Sequence, residues 1–150
     1  MSVNDLVLQN MKEMAEKFSA LGVSLVLPPP SSKTLGTFYT EIDFGKMLAA
    51  EFKYDIHFTN PLRTVQGGFL CAAFDDVYGP LTYMAALTPV VTIEMSTTFI
   101  RPFTAETELI RIKAEVVSKS KSLLILKAEA HSKDGKLIAT STNHSLIVRS

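Results

Sequence analysis

Two adjacent carboxylates, Asp75 and Asp76, stand in a stretch that is otherwise free of formal charge from Arg63 to Glu94. Phe69 to Ala86 is apolar on nearly every side, the pattern of a buried helix. Acids in such a helix are costly unless they are partnered or put to work. Just upstream lie Asn60, Gln66 and the pair Gly67-Gly68. Glycines at a loop-to-helix junction let the backbone come close to a ligand, and the first N–H groups of a helix have no intrahelical acceptor. Such donors can stabilise a developing oxyanion. Asp75 is suited to act as a general base or nucleophile, with Asn60 and Gln66 adding polar contacts.

The spacing constrains how these groups could cooperate. Gln66 and Asp75 are nine residues apart, roughly 13 Å along a helix rising about 1.5 Å per residue. Two groups so placed on one helix cannot act on the same carbon. A symmetric dimer with antiparallel central helices would bring the glycines of one chain to Asp75 of the other. Asp76 points about 100° away from Asp75 on a helix, so the two should not form a close acid pair. Asp76 is expected to make a structural or interface contact. Each feature also has a structural reading: Asp75 as a satisfied buried acid, Asn60-Pro61 as turn chemistry, and Gly67-Gly68 as room for helix packing.

Several elements must position these residues. Val3, Leu6, Val7, Met11, Met14 and Phe18 recur at helical spacing, predicting an amphipathic N-terminal helix over about residues 3–20, with Gly22 as its stop. Pro28-Pro29-Pro30-Ser31-Ser32 predicts an extended connection, so that residues 1–33 form a helix and a Pro-rich link. Thr37–Phe44 and Met47–Tyr54 flank Gly45 as a hairpin or bulged pair. The central helix should begin near Val65 and end or kink at Gly79-Pro80. Four strand-like runs follow: Val90–Ile100, Glu108–Val117, Leu123–His131 and Leu137–Val148, the last two joined by the turn signal Asp134-Gly135. In the first run, alternation places Val91, Ile93, Met95 and Phe99 on one face and Thr92, Glu94, Ser96 and Thr98 on the other. The fold expected is α+β: one domain over residues 1–150, with a curved antiparallel sheet wrapped around a long central helix.

Composition narrows the function classes. The chain has 150 residues, 47% apolar and 20% charged, with fifteen basic and fifteen acidic residues cancelling. That balance gives no basic excess for nucleic acid. No run approaches the roughly 18 apolar residues of a membrane span. Asp5, Lys12, Glu13 and Glu16 near the start do not suit a secretory signal, so a cytoplasmic location is expected. The single Cys71 excludes an intrachain disulfide and fits core packing. His57, His131 and His144 are scattered, and no metal site is expected.

The pattern Asn60, Gln66-Gly67-Gly68, Asp75, then Thr92, Glu94, Phe99, Arg101 and Pro102 resembles hot-dog-fold acyl-CoA thioesterases of the phenylacetate-pathway, PaaI-like type. The resemblance runs from about Thr34 to Val148. It implies Asp75 as the carboxylate that activates water or attacks the thioester, Gly67 as the backbone donor to the thioester oxygen, Asn60 as an orienting residue and Thr92 as an assisting hydroxyl on the acid-bearing subunit. It also implies a homodimer with shared sites, often paired into tetramers. Coenzyme A would enter only as part of the substrate, with no further cofactor and no metal. Gly68 would lie against the substrate, and Arg101, Lys119 and Lys121 could meet its phosphates, although surface charge explains those cations as well. Where the family commonly has His, this chain has Gln66, which can exchange hydrogen bonds but carry no proton charge. Two other readings stay open: a hot-dog protein that binds an acyl-CoA or apolar ligand without turnover, and a hot-dog enoyl hydratase or dehydratase, for which no histidine–acid pair is evident in the sequence.

Overall fold

The computed structural model describes residues 1–148. The helix α1 spans Val3–Ser19; its start is fixed by a capping box in which Ser2 and Asp5 satisfy each other's backbone N–H groups. Val7, Met11, Met14 and Phe18 form its buried stripe. The Pro-rich stretch departs from the expected extended link, because α2 is a short helix over Pro30–Leu35. Pro30 sits at its first position, where a missing N–H costs nothing, and Gly36 ends it in the left-handed conformation.

Six antiparallel strands follow: β1 Phe38–Asp43, β2 Met47–Lys53, β3 Val90–Phe99, β4 Leu109–Lys119, β5 Leu123–Ser132 and β6 Leu137–Ile147. Between β2 and β3 runs α3, Gly67–Ala86. The sheet order is β1-β2-β4-β5-β6-β3, a single sheet curved around α3. This is the α+β arrangement expected. Alternation holds well in β4, where Ile110, Ile112 and Ala114 are fully buried and Arg111, Lys113 and Glu115 face outward.

The two sheet edges differ. Beside β1 lies α1, and its Asn4 Oδ1 accepts the Tyr39 backbone N–H at 3.0 Å, closing part of that edge. The ten-residue β3 pairs only with β6 and leaves its other edge open, with Val91 and Ile93 more than half exposed.

The helix α3 passes straight through Gly79-Pro80 instead of ending there. Pro80 cannot donate to the Asp76 carbonyl four residues earlier. That carbonyl instead accepts the Tyr39 hydroxyl, at 3.4 Å. The helix is also less buried than its composition suggests. Leu70, Ala73, Phe74, Val77, Tyr78 and Leu81 fill the core, whereas Gly68, Phe69, Ala72 and Asp75 share a face open to solvent in the single chain. The sheet encloses the helix on the other sides only.

Candidate active site

Asp75 stands on the open face of α3, and the Thr92 hydroxyl of β3 lies near enough to its carboxyl to favour the charged form. Strict alternation would put Thr92 on the face opposite Met95. A bulge between Thr92 and Glu94 resets the register, so Thr92 pairs with buried Ser145 and Met95 with buried Asn143. Both therefore point toward the helix. The alternation expected for β3 is corrected accordingly, and the bulge is what delivers the hydroxyl to the acid. Solvent reaches Asp75 in the isolated chain, yet the burial around its carboxyl raises its pKa above the ordinary carboxylate value. The neighbouring Asp76 charge adds to the rise, and the Thr92 hydroxyl opposes it.

Behind Thr92 runs a polar ladder that sequence reading missed. The strand-like alternation of residues 137–148 suggests an apolar inner face. Instead β6 turns Ser141, Asn143 and Ser145 inward, all buried, with Asn143 at 0% exposure. Ser145 Oγ donates to Asn143 Oδ1, and Asn143 Nδ2 donates to Thr92 Oγ1 at 3.4 Å. Thr92 has a single hydroxyl proton. With that proton on Asp75, Thr92 can only accept from Asn143, and Asn143 can only accept from Ser145. In that arrangement the Ser145, Asn143 and Thr92 donors point toward the carboxylate. The signal was present as the alternation Ser141-x-Asn143-x-Ser145, but only the pairing with Ala128, Leu126 and Leu124 shows which side faces the core.

Asp76 turns elsewhere, as expected. It accepts hydrogen bonds from Ser31 and Thr37, tying α2 and the start of β1 to the central helix. Tyr78 lies next along α3; burial pushes its phenol up to about 12, so it stays neutral at physiological pH.

The other end of the constellation is the start of α3. Gln66 is its N-cap; its backbone O accepts from Phe69 and Leu70 N–H groups, and its side chain makes no capping bond. The Gly67 and Gly68 N–H groups thus begin the helix without intrahelical acceptors. A Cβ on Gly67 would lie 2.9 Å from the Phe99 ring, so glycine is what lets Phe99 pack on the helix start. A Cβ on Gly68 would meet nothing within 4 Å. Asn60 Oδ1 accepts from the Leu62 and Thr64 N–H groups and shapes the loop leading to the helix, which leaves its Nδ2 to reach outward.

The structure thus brings Thr92 to Asp75, and Gln66 to the glycine pair, at separate places on one helix. It does not gather the expected phosphate-binding cations. Arg101 donates to the Leu137 carbonyl, while Lys119 donates to the Ala85 carbonyl at the far end of the β3–β6 pair, where Lys121 also lies. Histidine–acid pairs do occur, contrary to the sequence reading: His57 Nδ1 lies 2.7 Å from Asp55 Oδ1, and His131 and His144 face Glu129 and Glu94. All lie toward solvent, and the His144–Glu94 pair, next to Thr92 along the β3–β6 ladder, is on the opposite face of the sheet. Among the described residues no cluster suits a metal ion, and no helix is long and apolar enough to cross a membrane.

A curved antiparallel sheet around a long helix, with a carboxylate on that helix and glycines at its start, defines a hot-dog protein of the thioesterase kind. Residues 62–139 match the family model of the thioesterase superfamily, and the chain belongs to that family. No curated protein matches it significantly in sequence. Among solved structures, it is similar to the PaaI protein of the phenylacetic acid degradation operon of E. coli. That match has a TM-score of 0.78 at 17% identity and covers 99% of this chain and 98% of that one. A phenylacetic acid degradation-related protein from Ralstonia eutropha JMP134 is 29% identical, with a TM-score of 0.73, over 81% of this chain and 92% of its own. A thioesterase from Haemophilus influenzae gives a TM-score of 0.73 at 13% identity, covering 81% and 85%.

Proposed function

We propose that the protein hydrolyses acyl-CoA thioesters at sites shared across a homodimer. The observation that carries this reading is where β3 anchors the two halves of the machinery. Its C-terminal end, at Phe99, packs on Gly67 and so marks the start of α3. Its N-terminal half sets Thr92 beside Asp75. Antiparallel pairing of the open β3 edge with that of a second copy sets the Phe99 end of each chain beside the Thr92 region of the other. The Gly67 and Gly68 N–H groups of one subunit then face Asp75 of the other. The same pairing moves Arg101 toward the Lys119–Lys121 end of the second chain, where the cations could meet the phosphates of coenzyme A.

In that arrangement the helix N-terminus binds the thioester oxygen, and negative charge developing there is stabilised by the unpaired N–H groups. Asp75, made more basic by its surroundings, takes a proton from water as the hydroxide adds to the carbonyl carbon. The C–S bond then breaks, and the thiolate leaves and picks up a proton, giving free acid and coenzyme A. Direct attack by the Asp75 carboxylate, forming an anhydride that water then cleaves, uses the same geometry. Gln66 donates a hydrogen bond to the substrate but cannot transfer a proton. That property favours the second reading, binding of an acyl-CoA without turnover.

Thiol release from a panel of acyl-CoAs separates the two. Wild-type hydrolysis is expected, with loss of at least a hundredfold in Asp75→Asn and the dimer intact by light scattering. Full activity in that variant would remove Asp75 from the mechanism. Binding without release by the wild type would favour the second reading.

A further inference from the structure

We infer that the acyl group occupies a chamber built by the N-terminal segment against α3, and that Gly79 sets its depth. The inference rests on the acyl-thioester reading above. A cavity of about 380 Å³ lies between α1, residues 25–35 and the open face of α3. Its wall is largely apolar, from Met11, Met14, Leu25, Leu27, Leu35 and Met84, and it includes Asp75. An apolar chamber with the reactive carboxylate on its wall suits the acyl half of a thioester.

Gly79 lies one helical turn beyond Asp75 and lines the same space. Glycine inside a helix is unfavourable relative to alanine, so its presence calls for a packing or ligand reason. Its place before Pro80 is one such reason, since a Cβ there is disfavoured in helical backbone. Apart from its two chain neighbours, a Cβ at Gly79 would meet nothing within 4 Å. The missing side chain also leaves room in the chamber.

Volume sets the substrate class. At roughly 30 Å³ per non-hydrogen atom, the share a water takes in the liquid, 380 Å³ holds on the order of ten to twelve such atoms. Compact acyl groups of medium length therefore fill the chamber, and the further carbons of a long fatty chain extend beyond it. The wall residues from Met11 to Leu35 precede the segment 62–139 that matches the family. The family motif accordingly leaves this specificity undetermined.

The test fills the chamber from Gly79. Gly79→Ala and Gly79→Leu add atoms to the chamber, and because a Cβ before Pro80 is disfavoured in a helix both should fold with a somewhat lower melting temperature. Leu25→Trp narrows the same chamber from the N-terminal segment, away from the proline, and is read in the same way. The readout is kcat/KM for butyryl-, decanoyl- and palmitoyl-CoA. Wild type should favour decanoyl- over palmitoyl-CoA. The decanoyl-to-butyryl ratio should fall at least tenfold in Gly79→Leu and less in Gly79→Ala. An unchanged ratio in a folded Gly79→Leu, or a wild type that prefers palmitoyl-CoA, overturns the chamber. Binding of decanoyl-CoA to Asp75→Asn and to Asp75→Asn/Gly79→Leu, by calorimetry, separates this failure from that of the thioesterase reading. Without hydrolysis in the wild type, binding weakened at least tenfold by the added leucine still supports the chamber, and equal binding overturns it.

Discussion

The acid and its supports are set one hydrogen bond at a time. Thr92 lowers the pKa of Asp75 against burial and the Asp76 charge, which raise it. Removing the hydroxyl in Thr92→Val lifts the Asp75 pKa further. Asp75 works as the carboxylate, so activity is lost as pH falls through that pKa, and the acidic limb of the kcat/KM profile should move to higher pH in Thr92→Val. Asn143→Leu should move it the same way by a smaller amount, because Thr92 loses the donor that keeps its proton turned to Asp75. A variant that only loosened the core would reduce activity without displacing the limb. Asn60, Gln66, Gly67 and Asp75 were legible in the sequence because their relations are local: fixed spacings on a loop and one helix. Asn143 was not, since its role depends on strand register and on which face of β6 turns inward.

At the scale of elements, sequence periodicity located each strand and both long helices, because alternation and helical spacing record which face is buried. It failed where a tertiary contact replaced a local one. The Tyr39 hydroxyl at the carbonyl freed by Pro80 lets α3 continue, and Pro30 at a helix start turns an apparent link into α2. The start of α3 allows a sharper test of the two glycines. Gly67→Ala pushes a Cβ into Phe99 and should cost about 1 kcal/mol of stability, within the range for overpacking. Gly68→Ala meets no atom, so a purely structural glycine there would accept alanine with no loss. If Gly68 borders the substrate, thermal stability should hold while kcat/KM falls tenfold or more. Calorimetric melting beside thiol release distinguishes the two glycines directly.

On the scale of the whole molecule, everything turns on the open edge of β3. Exposed strands with apolar side chains invite pairing, and the partial cover of the β1 edge by Asn4 of α1 makes the bare β3 edge a contrast within one sheet. Ile93 is 58% exposed in the single chain. Ile93→Lys should therefore weaken self-association and abolish hydrolysis together, as followed by analytical ultracentrifugation and thiol release. Complementation bears on site sharing more directly. Asp75→Asn retains an intact helix start, and Gly67→Val retains Asp75 while its added side chain collides with Phe99 and disturbs that start. Each homodimer should be inactive. In a mixed dimer one site combines the sound helix start of the first chain with the sound acid of the second, and the other site carries both defects. Random re-association of equal amounts makes half the dimers mixed, so about one quarter of wild-type activity should return. If Gly67 and Asp75 of one chain served the same site, every site in the mixture would carry one defect and no activity would return. The helix rise of about 1.5 Å per residue, which holds those residues roughly 12 Å apart within a chain, weighs against that outcome.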